Sequence, residues 1–365
     1  MLILISKCAV LILLLIVTVS PLAQDDNDEE NSEASCTLAE QIMSSNTGEK
    51  VGDCPILEGM EAFQLREDIV LTERLPAITS YFIIDGNGHT ISGDNMFRIF
   101  KVDGGKLTIL NLHMRDGSAE LGSAISVVAG GRLLIEDSTL ENCSAYSGTI
   151  FIRYGTLHIN RSNFLSNTAD RGGAIYNAAA GEIVVSHSRL EYNSARRGGA
   201  IYHYVGKGVI ANSSFRYNQA SERGGAIYSA HAGLQISHSA FSQNIAETGG
   251  AIDSRGTYLS VFGSTIELNR SLEDGAGIYV ANEEIFIRES SFKGNVASQR
   301  GGGVFANRGT LIVSKSDFRN NASHTGPGIY MEESSAMIID TDFTGNSAAD
   351  SDEQLYGVES EMKYY

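Results

Sequence analysis

Apolar residues along this chain come in short bursts two positions apart, and the bursts recur. Leu157 and Ile159, then Phe164, then Ile175 mark one round, and Ile183 and Val185, then Leu190, then Ile201 mark the next. A spacing of two is the period of a strand, whose successive side chains face opposite ways, and not the 3.6 of a helix. Each round therefore predicts three short strands separated by polar bends.

Two ladders hold one register along most of the sequence. The first is Ile125, Ile150, Ile175, Ile201, Ile227, Ile252, Ile278, Val304 and Ile329, behind a strict Gly-Gly-Ala at Ile175, Ile201, Ile227 and Ile252 and behind degenerate forms elsewhere. The second is Leu112, Leu140, Phe164, Leu190, Phe215, Phe241, Ile266, Phe292, Phe318 and Phe343, usually followed three residues later by Asn. A fixed period in the range of 20 to 50 residues marks a solenoid, propeller or array. A round can be written Leu-x-Ile/Val, Ser-x-Phe-x-x-Asn, a polar bend, then Gly-Gly-Ala-Ile-Tyr, which describes one coil of a parallel β-helix with like residues stacked inside.

Magnitudes require many coils. Four inward side chains contribute about 6 to 12 kcal/mol per coil, and fixing about 25 backbones at about 1 kcal/mol or more each exceeds that. Stability must grow with coil number, and the ends must be covered. The expectation is an all-β, single-stranded parallel solenoid of about ten coils, about 4.8 Å apart.

The recurring polar residues have structural readings. Paired glycines allow positive φ and close backbone approach. Asn167, Asn193, Asn218, Asn244, Asn269, Asn295, Asn321 and Asn346 are placed to stack as an amide ladder. Ser162, Ser188, Ser213, Ser239, Ser264, Ser290 and Ser316 form a second column, and a serine repeated in every coil is a poor nucleophile candidate.

The ends differ. Residues 1–23 read as a signal peptide, with Lys7 before the apolar run Cys8 to Val19 and small residues at Ser20–Ala23. The competing reading is an uncleaved membrane anchor. Residues 24–35 form an acidic linker, 36–95 an N-terminal cap, 96–346 the β-helix, and 347–365 a C-terminal tail. In the cap, Leu38, Ile42 and Met43 predict one face of a short helix, and strands are expected at Ile69–Thr72, Tyr81–Ile84 and Thr90–Ile91. Cys36 and Cys54 lack metal or redox spacing, and in an exported chain they are expected to pair, contributing roughly 3 kcal/mol. Cys143 replaces the repeat asparagine and reads as a buried thiol.

Composition narrows the function. With 44 acidic and 27 basic residues the net charge is −17, which argues against binding a phosphate backbone. No cofactor or metal motif is seen, so none is expected.

The coupled Gly-Gly-Ala-Ile and Phe-x-x-Asn motifs resemble the repeats of the chlamydial polymorphic outer-membrane proteins and related right-handed, pectin-lyase-like β-helix proteins. Cys36-Thr37-Leu38, Gly52-Asp53-Cys54-Pro55 and Gly86-Asn87-Gly88-His89-Thr90-Ile91 resemble the N-terminal cap of such exported proteins. The resemblance implies a passenger-like rod at the cell surface, often in adhesion, with an outer-membrane location among its possibilities. Residues 347–365 lack the alternating strands of a membrane barrel, so the expectation is a rod without one, released or attached through its N-terminus.

Two functions compete. The first is a non-enzymatic binding rod for a surface glycan or protein, reading its ligand with Phe151, Tyr176, Tyr202, Tyr228, Tyr279, Phe305 and Tyr330. Each follows an inward Ile or Val, so alternation predicts an exposed aromatic stripe or, more plainly, a stacked ladder stabilising the sheet. Arg171, Arg197, Arg223 and Arg300 border it, with Asp170 and Glu222 nearby to pair them. The second is a polysaccharide lyase or glycoside hydrolase. Chemistry needs a non-repeating cluster, and Asp253 with Arg255, breaking the aromatic column, is the best local departure, although it lacks a second carboxylate in its coil. Sequons at Asn142, Asn160, Asn212, Asn269 and Asn321 matter only in a glycosylating source.

Overall fold

The structure, a computed structural model, describes residues 36–350 and 353–364. The signal-peptide and linker expectations at 1–23 and 24–35 fall outside them. The chain winds as an all-β parallel solenoid of about 11 turns. Each typical turn contributes two strands to a 22-stranded sheet and one to a 12-stranded sheet, and a fourth, short strand builds a 7-stranded sheet. Among the described residues the strand pairings are parallel and join one turn to its neighbour, as in Phe164↔Leu190 and Ile201↔Ile227.

Like side chains meet inside because the register is fixed turn on turn. Phe215 stacks on Phe241 at 4.7 Å between centroids, and Phe292 on Phe318 at 4.6 Å. The Leu, Ile and Phe ladders form one continuous core with almost no exposed surface. The asparagines run beside it as a directional chain. Asn218 Nδ2 donates to Asn244 Oδ1 at 3.0 Å and to Leu190 O at 2.8 Å, and the Asn218 N–H donates to the same Oδ1 at 3.0 Å. The serines repeat the device: Ser213 N–H donates to Ser239 Oγ at 3.1 Å, while each hydroxyl donates back to a carbonyl two residues earlier. Cys143 opens the asparagine ladder, its N–H donating to Asn167 Oδ1 at 3.1 Å; burial pushes its thiol up to about 12, so it stays protonated.

The first glycine of each pair has φ near +60°, as in Gly172 and Gly198, a region costly for a residue with Cβ. The second lies against the bend of the next turn: a Cβ on Gly250 would sit 2.6 Å from Arg270 O.

The N-terminal end is closed by the helix Leu38–Thr47. Thr37 and Glu40 make a capping box and Gly48 ends the helix at φ 72°. Leu38 and Ile42 are buried as expected, but Met43 is exposed, and the inward positions are completed by Gln41 and Ser44. Gln41 reaches Pro55 O at 3.0 Å, and Asn46 clamps the first turn through Ala77 O at 2.7 Å and the Thr79 N–H at 2.9 Å. The Cys36–Cys54 disulfide is present. Parallel pairing begins before residue 96, at Phe63–Gln64 and Ile69–Val70, and runs past 346, where Leu355–Val358 and Glu361–Tyr364 add to the large sheet. Among the described residues no helix is long and apolar enough to cross a membrane.

Candidate functional site

The aromatic column stands in register on the outer side of the large sheet, yet it is not an exposed stripe. Phe151, Tyr176, Tyr202, Tyr228, Phe305 and Tyr330 are 1–7% exposed, and Tyr279 is half-buried. Two contacts cover it. The rings stack on one another, as Tyr176 on Tyr202 at 4.9 Å and Phe305 on Tyr330 at 5.4 Å. The glycine bend also swings the preceding arginine over them: Arg171 lies 5.9 Å from the Tyr176 centroid, Arg223 5.8 Å from Tyr228, and Arg300 4.7 Å from Phe305. Burial pushes the Tyr202 hydroxyl up to about 12. Alternation settles the side of the strand a residue faces, not whether another segment lies against that side.

Several arginines of the bends are paired. Arg196 joins Asp170 and Glu222 at 2.9 Å each, Arg197 meets Glu222 at 2.6 Å, and Arg300 meets Asp274 at 2.8 Å.

Asp253 and Arg255 form a closed pair. Asp253 is fully buried; it accepts from Thr248 Oγ1 at 2.6 Å and from Arg255 Nε and Nη2 at 2.8 and 3.1 Å. Arg255 in turn lies 4.4 Å from the Tyr279 centroid. Both carboxylate oxygens are thereby used within the protein.

A polar seam that sequence reasoning missed runs through the interior. The residue two after the Ile of the glycine motif is Asn177, His203, Ser229 and Ser254 in four consecutive turns, paired rung to rung and fully buried, whereas flanking turns place Ile152 and Val280 there. Asn177 Nδ2 lies 3.0 Å from His203 Nδ1. Asn177 Oδ1, His203 Nε2, Ser229 Oγ and Ser254 Oγ have no hydrogen-bond partner in the protein, nor does Glu283 Oε1. Each such buried atom costs about 1–3 kcal/mol if left unpaired.

Glu283 ends the seam. Its Oε2 accepts the Gly256 N–H at 2.9 Å, and the residue is 5% exposed. Burial pushes its carboxyl up to about 7, helped by Asp253 and opposed by the nearby Ser254 hydroxyl and the Gly256 N–H. Ser254 Oγ favours the ionised form by proximity, without the geometry of a true hydrogen bond. Burial also lowers His203 to about 4, opposed by the nearby Gly206 and Gly233 carbonyls, which leave Nε2 without a hydrogen bond of proper geometry. The available signal was a glutamate in a column whose register otherwise runs through Gly181, Gly206, Ala232, Thr257, Gly309 and Ser334.

Bulky positive-φ residues such as Tyr154, Val205 and Arg308 stand at other corners as well, but one corner changes character between the outer and the middle turns. After each Phe strand one residue takes positive φ. The outer turns use Asn142, Ser166, Gly294, Asn320 and Gly345, whereas the middle turns use Tyr192, Tyr217, Gln243 and Leu268 at φ 55–57°. A side chain there costs roughly 1–2 kcal/mol. These residues recover little by burial, since Tyr192 and Leu268 are each 56% exposed and Tyr217 42%. Tyr192 and Tyr217 stack at 4.8 Å, and Ile245, Leu272 and Val296 are exposed nearby in the sequence repeat. A shallow groove of about 620 Å³ is lined by Thr257, Glu283, Glu284, Arg308, Glu333 and Glu361, with Arg308 paired to Glu333 at 2.8 Å, so that the 5%-exposed Glu283 stands between this groove and the seam.

Residues 212–230 match the model of the Chlamydia polymorphic membrane protein repeat. That stretch contains Phe215, Asn218 and Gly224–Ile227. Comparison with curated proteins finds no match. Among solved structures, the chain is similar to a periplasmic alginate epimerase at 12% identity and TM-score 0.41, covering 78% of each chain. It is also similar to a mannuronic acid specific polysaccharide family 6 lyase from human gut microbiota at 10% identity and TM-score 0.23, covering 77% of this chain and 78% of that one. Neither similarity bears on chemistry.

Proposed function

We propose that the protein is a non-catalytic, exported rod, a right-handed β-helix secreted or held at the cell surface, that binds a surface glycan or protein along one corner. The observation that carries this reading is the corner column. Tyr192, Tyr217, Gln243 and Leu268 occupy positive-φ positions where neighbouring turns use glycine, asparagine or serine, and they remain exposed. Residues that strain the backbone without burying themselves are poorly explained by stability. Exposed tyrosines on a rigid edge suit contact with a partner.

The alternative, a polysaccharide lyase or glycoside hydrolase, needs side chains a substrate can reach. Asp253 is enclosed by Thr248 and Arg255, and the Glu283 carboxyl turns inward to Gly256. The test is a glycan array and a set of purified extracellular proteins probed with the full chain and with Tyr192→Asn/Tyr217→Asn. Binding that falls at least ~10-fold (about 1.4 kcal/mol) in the variant, with its unfolding midpoint unchanged or raised, supports the reading. Release of unsaturated sugars or reducing ends from alginate or pectate, abolished by Asp253→Ala or Glu283→Gln, overturns it.

A further inference from the structure

The unpaired atoms of the seam share one column rather than lying scattered through the core. Asn177, His203, Ser229 and Ser254 are successive rungs, and Glu283 reaches back from the following turn. Interior polar atoms without protein partners are satisfied by water where the site is polar and offers two to four partners. The seam meets both conditions. Neighbouring rungs lie about 4.8 Å apart, a distance one water spans with two ordinary hydrogen bonds. Serine also stands at 229 and 254 where flanking turns carry Ile152 and Val280, which frees space on the order of one water, ~30 Å³, at each rung. The walls are small as well: Gly208 faces the His203 ring, and Gly256 faces Glu283 Oε2. A metal is the less suitable guest, since among the described residues no group of three or more His, Cys, Asp or Glu is placed to hold one.

We propose that a single file of ordered water threads the solenoid core from Asn177 to Glu283, about one molecule per turn, with Glu283 as its terminal hydrogen-bonding group. Oriented along the column, each water donates to or accepts from His203 Nε2, Ser229 Oγ, Ser254 Oγ and Glu283 Oε1 in turn. The file ends where Ile152 and Val280 close the column with apolar side chains.

The test is a high-resolution crystal structure of the full chain, paired with oxygen-17 relaxation dispersion in solution to count long-lived internal waters. Ser229→Val/Ser254→Val is the variant, because valine already occupies this column at Val127 and Val280. The expected result is discrete water density beside the named atoms and a loss of about two long-lived waters in the variant, with its unfolding midpoint held or raised. A dry seam in the wild-type crystal overturns the proposal, as does density of an ion with anomalous signal. An unchanged internal-water count in the variant also overturns it. If the variant does not fold, the wild-type density and water count decide alone.

Discussion

Replacing Glu283 with glutamine should unmask a pH dependence that the wild-type protein hides. The Glu283 carboxyl ordinarily titrates at 4.5 and is raised to about 7 by burial. Between those values the folded chain holds a proton that the unfolded chain has lost, so stability falls as pH rises through this window. At about 1.4 kcal/mol per pH unit the interval corresponds to about 3 kcal/mol. A water held against Oε1 would lessen the desolvation, which makes this figure an upper bound. His203 works in the opposite sense. Lowered from 6.5 to about 4, its imidazole stays neutral when folded while the unfolded chain takes up a proton, so stability is lost as pH falls through that window. The two slopes oppose each other between about pH 4.5 and 6.5 and leave the wild type nearly flat there. Glu283→Gln should lose up to about 3 kcal/mol relative to wild type as pH falls from 7 to 4.5, and His203→Asn should show the reverse trend. The assay is urea unfolding followed by far-UV circular dichroism at several pH values, read as the difference between each variant and wild type so that surface carboxylates cancel. Asp253, the acidic neighbour that raises Glu283, keeps its Arg255 pair in both chains. A Glu283→Gln difference that stays constant from pH 4.5 to 7.5 would refute a neutral, buried carboxyl at this position.

Asn244→Ala should be among the most damaging single changes, because it takes the side-chain partner from the Asn218 N–H and from the Phe215 carbonyl and leaves Asn218 Nδ2 only its bond to Leu190 O. At about 1–3 kcal/mol for each of the two groups left without that partner the loss is roughly 2–6 kcal/mol in the unfolding free energy from urea titration, and a loss under about 1 kcal/mol would sink the ladder account. Gly225→Ala should lower the melting temperature or prevent folding, since its Cβ would press on the Gly250 carbonyl and lie 2.7 Å from Ile245 N. A melting temperature equal to wild type would show the turns are not in contact there. Removing the Cys36–Cys54 bridge with serines should cost about 3 kcal/mol, and calorimetry should place the loss in an early, cap-centred transition. A single unshifted transition would argue that the bridge closes nothing the helix does not already hold.

The interior was legible in the sequence because stacking forces like onto like. When each turn lies on the last in register, Phe215 must meet Phe241 and Asn218 must meet Asn244, so the fold writes its own period into the chain. The outer aromatic column was legible as a column but not as a buried one. Its cover comes from Arg171, Arg223 and Arg300, brought over the rings by bends whose path depends on positive φ at the glycines. Met43 escaped for a related reason: the cap helix rotates to bury Gln41 and Ser44, and Gln41 is drawn inward by its hydrogen bond to the Pro55 carbonyl rather than by hydropathy. The seam was hidden because apolar periodicity ignores polar residues at inward positions. Asn177, His203, Ser229 and Ser254 interrupt a column that Val127, Ile152, Val280 and Met331 fill with apolar side chains.

The departures from the repeat are not spread evenly. The interior seam occupies the turns from Asn177 to Glu283, and the strained corner residues run from Tyr192 to Leu268 through the same turns. A solenoid makes this informative, because every column carries its own controls in the turns above and below. The outer turns show that glycine or asparagine fits the corner and that isoleucine or valine fits the seam, so neither departure is required by the coil. Both lower stability locally, one through backbone strain and the other through buried polar atoms. Chains keep such costs where something other than folding is selected. The middle turns are therefore where a partner should be sought first. A deletion removing one whole turn there, for example residues 202–227, should preserve the coil while shortening both features together, and a binding activity that survives it intact would place the contact elsewhere on the rod.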